Sequence, residues 1–268
     1  MRSYLNYFKL NLITNLQYRA AAIAGISTQI FFGIVYVMVY LALYESNKGV
    51  NAPMNMQNLI TYLWLGQAFF AMTYPFLKDK ELLGMIKNGN LAYELVRPQN
   101  FYFKFYIKML AERIISCLLR FSPILVLAFI LPKPYKMALP ISINNFIVFL
   151  LGLILSVLLI SSLNILVHII TMFTIGDLGV INMYLITSEL FMGSLVPLPF
   201  LPKILIKIGN FLPFRFIGDF PYRVYSGDIP LSEGKILLLF SLIWLIVIII
   251  AGLIVSKIAL KKAVIQGG

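Results

Sequence analysis

The chain has 268 residues, of which 60% are hydrophobic and 12% charged, and its mean hydropathy is +0.90. So few polar side chains cannot cover the surface of a water-soluble globule, which excludes an ordinary soluble domain. A formal net charge of +12 would indicate nucleic-acid binding in a soluble protein, but on this apolar background it favours a membrane protein with asymmetric loops and no nucleic-acid partner.

Six apolar runs are long enough to cross about 30 Å of hydrocarbon, which takes roughly 20 helical residues. We expect helices because a single strand cannot satisfy its backbone hydrogen bonds in lipid. The runs are residues 21–44, 58–77, 107–131, 141–170, 178–200 and 236–256. The sequence therefore predicts an all-α integral membrane protein with six transmembrane helices in a single domain over residues 1–268.

An even number of spans places both termini on the same side of the membrane. When the termini are assigned to the cytoplasm, 14 of the 22 Lys and Arg residues lie on or near the cytoplasmic side. The positive-inside rule therefore supports cytoplasmic termini.

Residues 1–19 precede the first run. Leu5, Phe8, Leu12 and Leu16 recur at helical spacing, and polar residues occupy other positions around the helix. This pattern predicts an amphipathic helix that lies on the inner leaflet. A plain cytoplasmic extension of the first span is the alternative.

Residues 78–106 form the largest polar insertion on the cytoplasmic side. Leu82 and Ile86 belong to one apolar stripe, residues 88–90 (Asn-Gly-Asn) are a turn signal, and Pro98 ends a second short helix. The pattern predicts a short, charged helix–turn–helix joined to two spans. Such an element can dock on a cytosolic partner and carry its motion into the membrane; a solvated connector is the alternative.

Residues 197–233 are too apolar for a solvated loop, and six prolines break them too often for a regular span. Re-entrant or interfacial half-helices on the outer side satisfy both constraints. Broken backbone at membrane depth persists only where protein or a water-filled cavity covers it.

Glu189 lies near mid-depth of the fifth run, where a charged carboxylate costs about 2.5–3.5 kcal/mol on the insertion scale. It is therefore a candidate for the substrate path. Alternatively, it pairs with Arg120 or His168, or is protonated and hydrogen-bonded between helices. Arg120 lies deep in the third run, and there a structural pairing is favoured over substrate contact.

Polar residues, including Ser161 and Asn164, run through the fourth span. Interhelical hydrogen bonding is the simpler interpretation, and lining a translocation path is the alternative. His168 is expected to be a hydrogen-bonded packing residue. No Asp, Glu, Cys or second His stands at ligand spacing beside it, so the sequence predicts no metal site.

The sequence contains no G-x-x-x-x-G-K-[ST], G-x-G-x-x-G, G-x-S-x-G or H-E-x-x-H motif. It therefore offers no cradle for ATP or a dinucleotide and no catalytic cluster, and we do not expect an enzyme. If nucleotide energy drives this protein, another chain must hold the nucleotide.

Three stretches carry a resemblance to a known family. They read IKNGNLAYELVRP at 86–98, GSLVPLPFLP at 193–202, and LPF at 212–214 followed by FP at 220–221 and YSG at 225–227. The first is similar to a cytoplasmic pattern I-x-x-G-x-[LI]-x-x-x-L-x-R-P. In these features and their order along nearly the whole chain, the sequence resembles the permease subunit of type-2 ATP-binding-cassette (ABC) exporters, in the small bacterial branch that carries only the membrane domain.

The resemblance implies a mechanism and a set of partners. Two permeases form a dimer in the bacterial cytoplasmic membrane, and each binds a cytosolic ABC ATPase through the loop between its second and third spans. ATP and Mg²⁺ are bound by that ATPase, and this chain holds no cofactor. The second permease is an identical copy or a related chain, with a related chain favoured, and lipid surrounds the pair.

The resemblance also implies roles for particular residues. The expected ATPase contacts belong to the cytoplasmic coupling helix and turn within residues 78–106. They are Lys80, Glu81, Leu82, Lys87, Asn88, Gly89, Asn90, Glu94 and Arg97. The proline-broken stretch with Pro197, Pro199 and Pro202 is expected to form an outer gate. The substrate path is expected to include Glu189, Arg120, Asn164 or Ser161.

The functional hypothesis is therefore a non-catalytic permease subunit of an ATP-driven exporter. The alternatives are an ion-coupled secondary transporter and a non-transport membrane scaffold. A secondary transporter typically has intramembrane carboxylates and an inverted repeat. This sequence has one such carboxylate and no convincing repeat. No motif selects a substrate.

Overall fold

The chain is almost entirely helical. The computed structural model describes residues 2–15, 19–46, 52–88, 91, 94, 99–174 and 176–262. Over these residues it is 80% helix and has no strand. The α-helices are α1 (Arg2–Asn15), α2 (Arg19–Glu45), α3 (Met56–Ala68), α4 (Phe70–Thr73), α5 (Lys80–Lys87), α6 (Phe101–Leu118), α7 (Phe121–Ile130), α8 (Ile143–Ile170), α9 (Asp177–Phe191), α10 (Lys203–Phe211), α11 (Asp219–Ser226) and α12 (Leu231–Lys262). The all-α prediction is confirmed.

Four helical stretches in the described part of the chain are long and apolar enough to cross a membrane. They are Ala22–Glu45, Phe101–Ile130, Ile143–Phe173 and Leu231–Lys262. They correspond to the first, third, fourth and sixth predicted runs. The second of them joins α6 to α7, and the third continues α8 into a short 3-10 helix.

The other two predicted runs form shorter helices. The second run divides into α3 and α4 at Phe69, whose N–H bonds back to Leu65 O at 3.0 Å. The fifth run ends as a helix at Phe191, because Gly193 adopts a left-handed conformation with φ of 73°. Prolines follow from Pro197 onward and cannot continue a helix without losing its hydrogen bonds.

The long helix α8 is the centre of the fold. It is the most buried of the four candidate spans, and it packs against α12, α11 and α6. Gly152 lets α11 approach closely, since a methyl group there would lie 3.3 Å from the Phe220 ring. Ser156 Oγ donates to Ile217 O at 2.6 Å, and Asn145 Nδ2 donates to Val224 O at 2.9 Å.

Short helices fill the proline-rich segment between α9 and α12. They are the 3-10 helices Leu198–Phe200 and Pro213–Phe216 together with α10 and α11. Proline opens or closely follows the start of such helices at low cost, because the first N–H groups have no partner within the helix. α11 is covered by α3 and α8, so this broken backbone is enclosed by protein on that side.

The N-terminal helix α1 packs along α6. Asn100 N–H donates to Tyr4 Oη at 2.9 Å, and Lys104 Nζ lies 6.0 Å from the centre of the Tyr7 ring. Leu5 and Leu10 remain exposed on the other side. Residues 16–18, including the predicted Leu16, lie outside the described residues.

The contact of α12 with α6 makes a stability prediction. A methyl group at Gly252 would lie 2.3 Å from Tyr102 Cε2, so Gly252→Ala must push the two helices apart. We expect a loss of about 1–3 kcal/mol, as for other overpacked sites, seen as a lower midpoint of thermal unfolding in detergent. Gly179→Ala in α9 is the matched control, because no atom lies within 4 Å of its added methyl group. Equal midpoints for the two variants would contradict this packing.

Candidate functional site

The polar insertion that follows α4 is built around α5, and Asp79 fixes where that helix begins. Asp79 Oδ1 accepts from Glu81 N at 3.0 Å and from Leu82 N at 3.1 Å. A side chain that caps the first amides in this way typically contributes about 1 kcal/mol to the helix. Leu82 and Leu83 are buried on one face, and Asn88 N–H closes the other end on Gly84 O at 2.9 Å.

Only part of the predicted ATPase-contact set presents surface. Lys80, Glu81, Lys87 and Asn88 are exposed along α5. Leu82 is fully buried in the apolar cluster under the helix, so it holds α5 in place and offers no surface. The remaining predicted positions are Glu94, which is buried, and Gly89, Asn90 and Arg97, which lie outside the described residues.

Glu94 lies in a buried ion pair. Its carboxylate is 2.5 Å from Lys104 Nζ, and both side chains are 4% exposed. Removing one partner of such a buried pair strongly destabilises the folded protein, because the other charge is left without compensation. This ion pair therefore joins Glu94 to the first turn of α6.

Residues 74–79, which we call the connecting segment, lead from α4 into α5 and are held by two side chains of α8. Asn164 Nδ2 donates to Pro75 O at 2.8 Å, and Asn164 Oδ1 accepts from Leu77 N at 3.1 Å. His168 Nε2 accepts from Asp79 N at 3.1 Å, while its Nδ1 donates to Asn164 O at 2.8 Å. Both side chains are fully buried. We call Asn164 and His168 the α8 clamp.

The α8 clamp confirms the expectation that His168 is a hydrogen-bonded packing residue. With Nδ1 donating, Nε2 is the free acceptor of a neutral imidazole, as the Asp79 amide requires. The ring also stacks on Phe76, with centroids 4.7 Å apart. Among the described residues, no group of three or more His, Cys, Asp or Glu side chains is arranged to hold a metal ion.

Helix α6 holds the same region from another side. Arg113 Nη1 donates to Met72 O at 2.9 Å and to Tyr74 O at 2.7 Å. One turn earlier, Lys108 Nζ lies 2.9 Å from Asp79 and 2.5 Å from Glu81. The end of α4 and the start of α5 are thus attached to α6 by charged side chains.

The last turn of α5 reaches α9. Lys87 Nζ lies 3.1 Å from Asp177 Oδ1, at the first residue of α9. The Lys87 side chain is 59% exposed, so this pair contributes little to stability. Its geometric consequence is that α5, together with the Asp79 that caps it, contacts α6, α8 and α9.

The predicted path residues divide into two groups. Asn164 and Ser161 are fully buried; Ser161 Oγ donates to Val157 O of its own helix at 2.7 Å. Those contacts fit the interpretation of polar residues that bond within and between helices. Glu189 and Arg120 are only half-buried, and no ion pair joins Glu189 to Arg120 or His168.

Arg120 and Glu189 take different positions. Arg120 lies against Gly25 of α2, where the absent side chain leaves room for the guanidinium. Glu189 lines a cavity of about 280 Å³ between α2, α3–α4 and α9. That cavity also contains Gln29 and Gln67, two polar residues of the apolar runs that sequence reasoning missed.

The predicted outer-gate prolines surround a short 3-10 turn. Pro197 precedes Leu198–Phe200 and is buried, Pro199 lies within that turn, and Pro202 is exposed before α10. Just before them, Tyr62 Oη donates to Gly193 O at 2.9 Å. This bond ties the end of α9 to α3.

A buried acidic residue of α11 was also missed by sequence reasoning. Asp219 is fully buried, and Arg223 Nη1 lies 3.3 Å from its Oδ2. Burial raises the pKa of Asp219, and the nearby Arg223 and Arg215 oppose that shift. The i,i+4 spacing of Asp219 and Arg223 was the available signal.

The comparison with protein families identifies the chain. A family model described as "ABC-2 family transporter protein" matches residues 30–267. The chain therefore belongs to the ABC-2 transporter family, as a multi-pass membrane permease subunit of an ABC transporter. Such subunits are generally non-catalytic, and membership implies a separate ATP-binding partner. The comparisons with curated proteins and with solved structures gave no match.

The α8 clamp makes a testable prediction. Asn164→Ala leaves the Leu77 amide and the Pro75 carbonyl without their buried partner, which costs about 1–3 kcal/mol for each group, or about 2–6 kcal/mol together. We expect amides of residues 77–82 to exchange with deuterium at least about 30-fold faster. Ser162→Ala is the control, because that buried hydroxyl bonds Leu159 O of its own helix. The same exchange in both variants would show that Asn164 does not hold this segment.

Proposed function

We propose that this chain is the permease of an ATP-driven exporter in the bacterial cytoplasmic membrane, and that α5 receives the motion of a cytosolic ATPase. The observation that carries the proposal is the combination on α5 of a charged exposed face and contacts to three membrane helices. The exposed face offers Lys80, Glu81, Lys87 and Asn88 to a partner. The contacts to α6, α8 and α9 pass a displacement of α5 into the membrane.

The burial of the attachments argues against a solvated connector. Arg113, Asn164 and His168 are each at most 1% exposed. Removing such polar groups from water costs free energy, which only their hydrogen bonds to the chain offset. A solvated connector would bond its backbone groups to water instead. An element that must transmit force needs attachments that do not yield to water.

Six spans follow from this arrangement if α3–α4 and α9 also cross the bilayer. Residues 56–73 cover about 27 Å at 1.5 Å per residue, despite the break at Phe69. Helix α9 covers about 22 Å, and the short helices after Pro197 complete the crossing region. Both termini and α5 are then cytoplasmic. The proline-broken segment is outside, where Pro197, Pro199 and Pro202 border the exit as an outer gate.

The proposal fixes the partners by class. A separate cassette ATPase binds ATP and Mg²⁺ and closes around the bound nucleotide. This chain therefore requires no cofactor of its own. A second permease, identical or related, faces it across the membrane. Exposed apolar side chains on α2 and α9 (Ile23, Phe31, Met183 and Ile186) suit lipid or that second permease. The substrate path runs along Glu189, which lines the cavity between those same helices.

Charge reversal on α5 tests the docking surface. Lys80→Glu should weaken co-purification with cassette ATPases from the same genome by about tenfold or more, because it reverses the sign of one charge on the proposed docking face. Lys133→Glu is the control: it reverses an equally exposed lysine between α7 and α8. Equal retention of the ATPase by both variants would contradict docking through α5. Transport by the purified chain alone on an ion gradient would contradict ATP-driven export altogether.

A further inference from the structure

The cavity that Glu189 lines combines apolar walls with a few polar side chains. It measures about 280 Å³, and its walls come from α2, from α3–α4 and from α9. Most of the wall is apolar or aromatic, with Phe32, Tyr36 and Phe70 among the lining side chains. Phe32 is itself 45% exposed, so the cavity opens at the surface of the chain.

Gln29 of α2 is the strongest sign of a missing ligand. It is 4% exposed, and among the described residues neither its amide nitrogen nor its amide oxygen has a hydrogen-bond partner. Buried polar atoms without partners are rare in folded proteins, and each one costs about 1–3 kcal/mol. Gln29 lines the same cavity as Glu189, and Gln67 adds a second amide.

The charge of the cavity is one-sided. Glu189 contributes a carboxylate, and no lysine or arginine side chain is among the lining residues that the structure describes. The basic residue found on this side of α2, Arg120, lies against Gly25, one helical turn from Gln29, and is not part of the lining. Aromatic rings attract a cation through their quadrupole, and a carboxylate beside them adds to that attraction and repels an anion.

We propose that this cavity binds an apolar organic cation, with Glu189 as its counter-charge, the aromatic rings around its body and Gln29 as a hydrogen-bond partner. The inference rests on the proposed function, since it names the substrate class of the path that runs through Glu189. A neutral lipid tail would fill the apolar walls but would leave Glu189 and Gln29 without a role.

Two ions of the same shape and opposite charge test this inference. Tetraphenylphosphonium and tetraphenylborate both carry four phenyl rings, so they differ chiefly in the sign of their charge. With the purified full-length chain in detergent, we expect saturable binding of radiolabelled tetraphenylphosphonium. We expect tetraphenylborate at the same concentration not to displace it.

Isosteric variants assign the binding to the cavity. Glu189→Gln should weaken phosphonium binding about tenfold, and Gln29→Leu should weaken it by a smaller factor. Glu233→Gln, which removes an exposed carboxylate at the start of α12, should leave it unchanged. Gel filtration and thermal unfolding check that each variant is folded, and the phosphonium–borate comparison on the unmodified chain needs no variant.

Three results would overturn the inference: no saturable phosphonium binding, equal displacement by borate, or unchanged affinity in Glu189→Gln. Because these measurements need no ATPase, they separate the inference from the proposed function. Intact ATPase association without cation binding rejects only the substrate class. Cation binding by a chain that associates with no ATPase rejects only the exporter.

Discussion

Two buried side chains on α8 determine how the polar insertion around α5 is attached to the membrane helices. Asn164 and His168 satisfy the backbone of the connecting segment at Pro75, Leu77 and Asp79. Without them, these backbone groups would face an apolar interior with no partner, at a cost of about 1–3 kcal/mol for each group. The position of α5 depends on this contact, because Asp79 is both the last residue held by the clamp and the residue that caps α5.

The same contact links α5 to the cavity that Glu189 lines. Pro75 lines that cavity, and its carbonyl oxygen accepts the hydrogen bond from Asn164. At the other end of α5, Lys87 pairs with Asp177 at the start of α9, and α9 carries Glu189 into the cavity wall. The contacts of α5 therefore lead to two walls of the cavity, to Pro75 through Asp79 and the clamp and to α9 through Lys87. Contiguity of this kind makes coupling physically possible, and its strength has to be measured.

Hydropathy alone predicted the class of fold and four of the long helices, because crossing lipid imposes length and composition directly. It did not predict the ends of the shorter helices. The break at Phe69 and the left-handed Gly193 depend on neighbours far away in sequence, such as Tyr62, whose hydroxyl bonds Gly193 O. Such tertiary contacts leave no periodic signal in the chain.

The candidate site was predictable to a similar extent. The exposed charges of α5 followed from the polar insertion, and hydrogen bonding by Asn164 followed from a polar group in an apolar run. The sequence did not predict the partners of these groups, because the pairing of side chains depends on which helices pack against each other. Gln29 was missed because an uncharged amide in a hydrophobic run is not a distinctive signal. It stands out only through its burial without a hydrogen-bond partner among the described residues.

We infer that a displacement of α5 moves the cavity walls, in part through the α8 clamp, and one distance tests this coupling most directly. Spin labels on exposed Ile23 of α2 and Ile186 of α9, in a Cys117→Ala chain assembled with its ATPase, report the separation of two cavity walls. We expect ATP with vanadate to shift this distance in the chain with the unmodified clamp. We expect a smaller shift in Asn164→Ala/His168→Ala, where the Lys87–Asp177 contact to α9 remains, although ATP is still hydrolysed. The same shift in both proteins would contradict coupling through the clamp.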